Sequence, residues 1–209
     1  MTHPERGATL ASWARACVRE KFGAAPLAAP DAPWCEELAA TFVTLRWTTG
    51  ALQGCIGTIT PHRAIVDDVR SNAIAAATRD PRGKLLSLAD IDQLDVEISI
   101  LSPLEPIPAG SEKGMWTHVT PGTHGVVLEA PGARGVLLPA VWDRLSVPEF
   151  AAALKQKAGL PAGFWSPEVS LSRFTVEHFT DRGSRDGLSR ALVSPDRRWS
   201  AAVRSVSAR

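Results

Sequence analysis

Apolar residues recur every three to four positions over residues 5–22. Leu10, Trp13, Ala14, Cys17 and Val18 form one stripe, with Arg15, Arg19 and Glu20 off it, and this predicts an amphipathic helix that stops at Gly23. The Ala- and Pro-rich run to Pro33 reads as a loop. Between 38 and 48 the period falls to two, with Val43, Leu45 and Trp47 alternating with Thr44 and Arg46, and a strand is expected. Thr48-Thr49-Gly50 makes a turn and 51–60 a second strand, so the pair forms a hairpin. Thr60-Pro61 has the form of an N-cap and first helical position. A helix over 61–79 follows, with Ile65, Val69, Ala73 and Ala76 on its buried stripe and Asp67 and Asp68 near its positive end.

Asp80-Pro81 ends that helix, and Ser87-Leu88-Ala89-Asp90 resembles a capping box that opens a short helical turn. Val96, Ile98 and Ile100 alternate with Asp95, Glu97 and Ser99 in the clearest strand of the chain. A loop through Gly110 and a polar, Gly-containing stretch over 114–125 come next. Residues 126–128 and 136–138 read as a hairpin around a longer loop at 131–135. Residues 139–145 suit a short helix, 148–158 a better one ending at Gly159, and 169–179 a final strand. Six or seven strands and about four helices in mixed order, with close hairpins, define an α+β protein.

The second arm of the first hairpin, Leu52-Gln53-Gly54-Cys55-Ile56-Gly57, holds two glycines inside a strand. Glycine is a weak strand former, so the backbone must come close there to a ligand or to a neighbouring segment. Alternation sets Gln53, Cys55 and Gly57 on one face and Leu52, Gly54 and Ile56 on the other. A thiol and an amide then share a surface that Gly57 leaves uncovered.

Composition adds little direction. The 209 residues carry a formal net charge of +1, with 44% hydrophobic and 22% charged residues, as in ordinary globular proteins. Near-neutrality gives no reason to expect nucleic acid or a membrane surface as partner. The charge is unevenly placed, since residues 182–209 hold seven arginines and two aspartates. That segment reads as a basic, solvated, mobile tail following a domain at 1–181, with a nucleic-acid arm as the sharper alternative. Three irregularly spaced cysteines do not make a disulfide framework, and neither a signal peptide nor a bilayer-spanning run is visible. A cytoplasmic protein with reduced thiols is expected.

Leu52-Gln53-Gly54-Cys55-Ile56-Gly57 resembles the Leu-Arg-Gly-Cys-Ile-Gly signature of the AMME-syndrome candidate-region protein family, whose prokaryotic members are called protein A of the AmmeMemoRadiSam system. The similarity continues in order through Asp80-Pro81-Arg82, residues 96–103, Gly122-Thr123-His124-Gly125-Val126, residues 135–139 and residues 157–161, covering roughly residues 8–180. It implies a largely antiparallel sheet flanked by helices, with a larger and a smaller lobe in one domain. It implies no settled activity. Members are often encoded with a Memo-like, dioxygenase-like protein and a radical-SAM protein, which implies a shared pathway or complex. Gln53 stands where the signature usually has Arg, Gly83 where Phe is usual, and Ala140 where Gln is common.

Two functions compete. A ligand- or partner-binding module would use Gln53, Gly54, Gly57 and Arg82, with His124 and Glu97 nearby. A thiol-dependent enzyme of acyl-transfer or hydrolase type would use Cys55 as nucleophile, His124 as base and Glu97 as orienting carboxylate. For each residue the alternative is structural: a small packed thiol, a loop hydrogen bond, a solvated carboxylate. The helix expected after Pro61 starts about 16–20 Å along an extended chain from Cys55, too far for its dipole to activate the thiol. No metal-ligand spacing, phosphate loop or dinucleotide fingerprint appears, so no cofactor is expected.

Overall fold

The computed structural model describes residues 4–183, and the tail from 184 onward lies outside the described residues. In chain order its elements are α1 (Pro4–Lys21), β1 (Ala40–Trp47), β2 (Leu52–Gly57), α2 (Ile65–Thr78), α3 (Leu88–Ile91), β3 (Leu94–Leu101), β4 (Glu105–Pro106), α4 (Glu112–Trp116), β5 (Gly125–Ala130), β6 (Ala133–Leu137), α5 (Val147–Lys157), β7 (Ser170–Phe174) and β8 (Val176–Asp181). Short 3₁₀ helices lie at Pro33–Glu36 and Pro139–Arg144. The class is α+β, with two four-stranded sheets. The described residues fall into two compact units, 4–101 with 177–183, and 102–176.

In the first unit the sheet order is β2-β1-β3-β8. Val43 faces Ile56 and Ile98 across the strands, and Leu45 faces Gly54 and Val96. This apolar row joins a core with Leu10, Trp13 and Cys17 of α1 and Ile65, Val69, Ala73 and Ala76 of α2. The helical stripes read from the sequence are those that are buried, and most of the helices' stability comes from that burial.

The start of α2 differs from expectation. Thr60 and Pro61 precede it, and Ala64 is the N-cap residue, without a side-chain cap. The reason is tertiary. Ala64 forms a bridge with Leu38, and the Ile65 N–H donates to the Glu37 carbonyl at 2.8 Å, so a distant backbone satisfies the helix's first donor. Asp68 then fastens the helix to β1. Fully buried, it accepts from the Thr41 N–H at 2.9 Å, the Thr41 hydroxyl at 2.6 Å, Asn72 Nδ2 at 2.9 Å and Arg63 Nε at 2.9 Å.

The glycines of β2 have separate explanations. A Cβ on Gly54 would lie 2.0 Å from the Ala76 carbonyl oxygen, because the last turns of α2 press against the strand there. A Cβ on Gly57 would lie 2.2 Å from the Phe42 ring. Gly57 therefore does not leave a bare surface, as its alternation suggested; the cross-strand Phe42 covers it.

In the second unit the sheet order is β4-β7-β5-β6. Trp142 stacks on Phe150 with centroids 3.7 Å apart, Trp116 meets both edge-on, and Leu128, Leu154 and Leu171 complete the core. The hairpin turn is tighter than expected, since Ala130 pairs directly with Ala133 around Pro131 and Gly132, whose φ is +71°. The expected final strand is two strands that divide at Thr175: β7 pairs with β5, and β8 belongs to the first sheet. At that division the Ser102 N–H donates to the Thr175 carbonyl at 2.9 Å, and the Thr175 N–H to the Ser102 hydroxyl at 2.9 Å.

Gly54→Ala is expected to destabilise the protein by about 3 kcal/mol, because backbone rather than a flexible side chain occupies the space. Urea unfolding of the two proteins measures this, and an unchanged midpoint would show that α2 yields there at no cost.

Candidate functional site

The polar face of the first sheet gathers the residues of interest. Thr44 of β1 is opposite Cys55 of β2 on one side and Glu97 of β3 on the other, so all three share one row and one face. Two residues along β1, Arg46 continues that face opposite Asp95. Phe42, Gly57 and Ser99 form the next row in the other direction. Cys55 and Glu97 are thus brought onto one surface by strand register.

Cys55 is only 9% exposed. The Thr44 hydroxyl donates to its sulfur at 3.1 Å. Burial pushes the thiol above its ordinary pKa; the Thr44 hydrogen bond and the positive charges of Arg82 and Arg46 oppose this without reversing it. At neutral pH the group is a thiol.

Because β2 is an edge strand, the Cys55 amide is available to a partner outside the sheet. It donates to Asp80 Oδ2 at 2.8 Å. Asp80 sits just beyond the end of α2, which Gly54 allows to approach. Its carboxylate also takes Arg82 Nε at 2.8 Å, Arg82 Nη2 at 2.5 Å and the Arg82 N–H at 3.0 Å. Burial acts to raise the Asp80 pKa, but the Arg82 side chain and the two backbone donors outweigh it and hold it at about 2.

Gln53 fastens the loop that carries Arg82. The pairing register shifts between Leu45 and Arg46, and Arg46 pairs with Leu52, which leaves Gln53 as the extra residue of a bulge. Its Nε2 donates to the Lys84 carbonyl at 2.8 Å, and its Oε1 accepts from Trp47 Nε1 at 3.0 Å and the Lys84 N–H at 3.3 Å. A Cβ on Gly83 would lie 2.4 Å from the Gln53 carbonyl and 2.6 Å from Nε2. Gln53 and Gly83, the positions where the resemblance implies Arg and Phe, are therefore neighbours.

Arg46 and Arg82 complete the face. Arg46 Nε lies 3.4 Å from Glu97 Oε1, and Arg82 is paired with Asp80. Arg46 Nη2 and Arg82 Nη1 are both buried with no acceptor among the described residues. On β8, His178 Nδ1 is 3.0 Å from the Ser99 hydroxyl. Sequence reasoning passed over Thr44, Arg46 and His178; the first two lay in the polar phase of β1, and His178 had no local signal.

His124 belongs to the second unit. Its Nδ1 accepts the Thr120 N–H at 2.9 Å, and its carbonyl accepts Trp142 Nε1 at 2.7 Å. Burial and then the Arg173 charge depress its pKa. There the ring fastens its own loop. Among the described residues, no group of three His, Cys, Asp or Glu is assembled to hold a metal ion, and no helix is long and apolar enough to cross a membrane.

An edge-strand thiol set among paired guanidinium and carboxylate groups, on an α+β scaffold, is the setting of the Leu-Gln-Gly-Cys-Ile-Gly stretch. The AMMECR1 family model matches residues 11–179, and the chain belongs to that family. A protein of Thermotoga maritima is 41% identical over 155 residues, 72% of this chain and 84% of that protein. One of Methanothermobacter thermautotrophicus is 35% identical over 188 residues, 86% and 96% of the two chains. The crystal structure of the uncharacterized protein PH0010 from Pyrococcus horikoshii is similar, with a TM-score of 0.75 and 31% identity over 90% of this chain and 98% of that one.

The depressed Asp80 pKa predicts a pH signature. The carboxylate's contribution is full above the unfolded-state value near ~4 and is lost as pH falls toward the folded-state value. Asp80→Asn is therefore expected to cost about 1–2 kcal/mol at neutral pH, after solvent screening, with the gap closing between about pH 4 and 2. Denaturation midpoints of both proteins across that range check it; a gap independent of pH would remove the ionised carboxylate from the account.

Proposed function

We propose that the protein is a binding module whose site is the polar face around Cys55, and that it acts as an accessory to a Memo-like protein and a radical-SAM protein. What carries this reading is the pair of buried guanidinium N–H groups, Arg46 Nη2 and Arg82 Nη1, beside a thiol that burial keeps protonated. Each guanidinium is already matched by a carboxylate, Glu97 or Asp80, so the face offers directed donors with little net charge. Such a face suits a small polar ligand that presents acceptor oxygens, a carboxylate or an amide carbonyl. Arg82, with its side chain 25% exposed, is the side from which a ligand reaches it. The association with a Memo-like and a radical-SAM protein rests on the family resemblance.

The thiol-enzyme reading asks for a thiolate at neutral pH and for a base beside it. Cys55 is held the other way, and the histidine of its own unit that adjoins this face, His178, is engaged with Ser99.

Alkylation of Cys55 by iodoacetamide, followed by mass spectrometry against pH, separates the two. We expect slow reaction that rises only above pH ~9; a plateau of fast reaction below the ~8.5 of a free thiol would favour the enzyme. Acetate, malonate, succinate and acetamide, titrated into isotope-labelled protein, should perturb the amides of 53–57 and 80–84. Arg82→Met should weaken that binding about tenfold, or about 1.4 kcal/mol.

A further inference from the structure

The second unit contains a groove of about 600 Å³ between α4 and α5, a volume suited to a small molecule. Trp116, Val147, Pro148 and Ala151 give it an apolar lining, and the alanines of α5 keep it open. One pair of charges lies on its wall. Lys155, only 4% exposed, places its ammonium 2.7 Å from the Glu112 carboxylate and 5.8 Å from the centroid of the Trp165 ring. A buried ammonium held by a carboxylate and a ring face is fixed in place. The indole N–H of Trp116, another lining residue and only 7% exposed, is buried with no acceptor among the described residues.

We infer that this groove is a binding site for a free apolar α-amino acid. The ligand's carboxylate lies on Lys155, with the Trp116 N–H as a second donor; its ammonium lies on Glu112, and its side chain lies along the apolar lining. Charge decides the class of ligand. A simple carboxylate that took Lys155 would leave Glu112 without its cation, and a cation that took Glu112 would strand a buried ammonium. A zwitterion replaces one internal ion pair by two and leaves neither partner alone. Glu112, with its side chain 34% exposed, is the member able to turn toward the ligand. The site is independent of the Cys55 face, so either reading can fail alone.

Calorimetric titration of the full chain with L-leucine and L-phenylalanine tests the inference. Saturable 1:1 binding tighter than about 1 mM is expected. Glycine, which lacks the apolar side chain, N-acetyl-leucine, which lacks the ammonium, leucinamide, which lacks the carboxylate, and 4-methylpentanoate should each bind at least ~10-fold more weakly, a loss of about 1.4 kcal/mol or more. Glu112→Gln should weaken leucine by a similar factor and should also lower the thermal midpoint, because it leaves the buried Lys155 ammonium without its carboxylate; the ligand series and Ala152→Trp read the binding without that change. Ala152→Trp, which fills the groove from its partly exposed side, should abolish binding. No binding of either amino acid at about 10 mM overturns the proposal. So does leucine affinity that is unchanged in both variants, or 4-methylpentanoate binding as well as leucine.

Discussion

The close approach of α2 to β2 at Gly54 is the contact on which the first unit's polar face depends. Here the missing Cβ lets the Ala76 carbonyl in, and Asp80 then reaches the Cys55 N–H. With Asp80 in place, Arg82 is drawn in by two side-chain hydrogen bonds, and Gln53 secures the following residues through Lys84. One glycine thus sets the position of a carboxylate, a guanidinium and a loop. The same device protects the sheet, since an edge strand with open amides invites pairing with another chain.

The electrostatic character of this face follows from that geometry. Every strong charge on it has a partner across a strand or within a loop, as in Arg46 with Glu97 and Arg82 with Asp80. Pairing removes net charge but leaves directional N–H groups, and the neutral thiol between them accepts from Thr44. A reactive thiolate would need the positive groups to outweigh burial, and they do not. The second unit solves a similar problem around Lys155 with a single carboxylate and an aromatic face.

Much of the fold was legible in the sequence, because α1, β1, β2 and β3 carry clean periods that depend only on which face is buried. The α3 start was legible as well, through Ser87 with Asp90, and α5 was expected from Pro148, one residue past its start at Val147; both helices have capping boxes. What escaped was set by distant partners. Thr60-Pro61 has the chemistry of a helix start, but the Glu37 carbonyl moves that start to Ile65. Residues 169–179 hold no Gly or Pro to mark a break, and nothing in them records that the strand changes sheets at Thr175. With only five residues, α4 was too short to show a period. At the site, the common face of Cys55 and Gly57 was readable, whereas the bulge that takes Gln53 out of that alternation toward Trp47, Phe42 lying over Gly57 and Glu97 sharing a row with Cys55 required the register of β1.

The paired bonds between Ser102 and Thr175 have an architectural consequence. The chain leaves the first unit after β3 and returns to it at β8, and β3 and β8 are neighbours in one sheet. The intervening segment is an insertion whose two ends are stitched together where it departs and rejoins. Such an arrangement lets a sheet accept a whole folded unit between adjacent strands as though it were a hairpin turn. The parent sheet keeps its order whatever the inserted unit carries, so the two parts of the molecule are free to acquire binding properties separately.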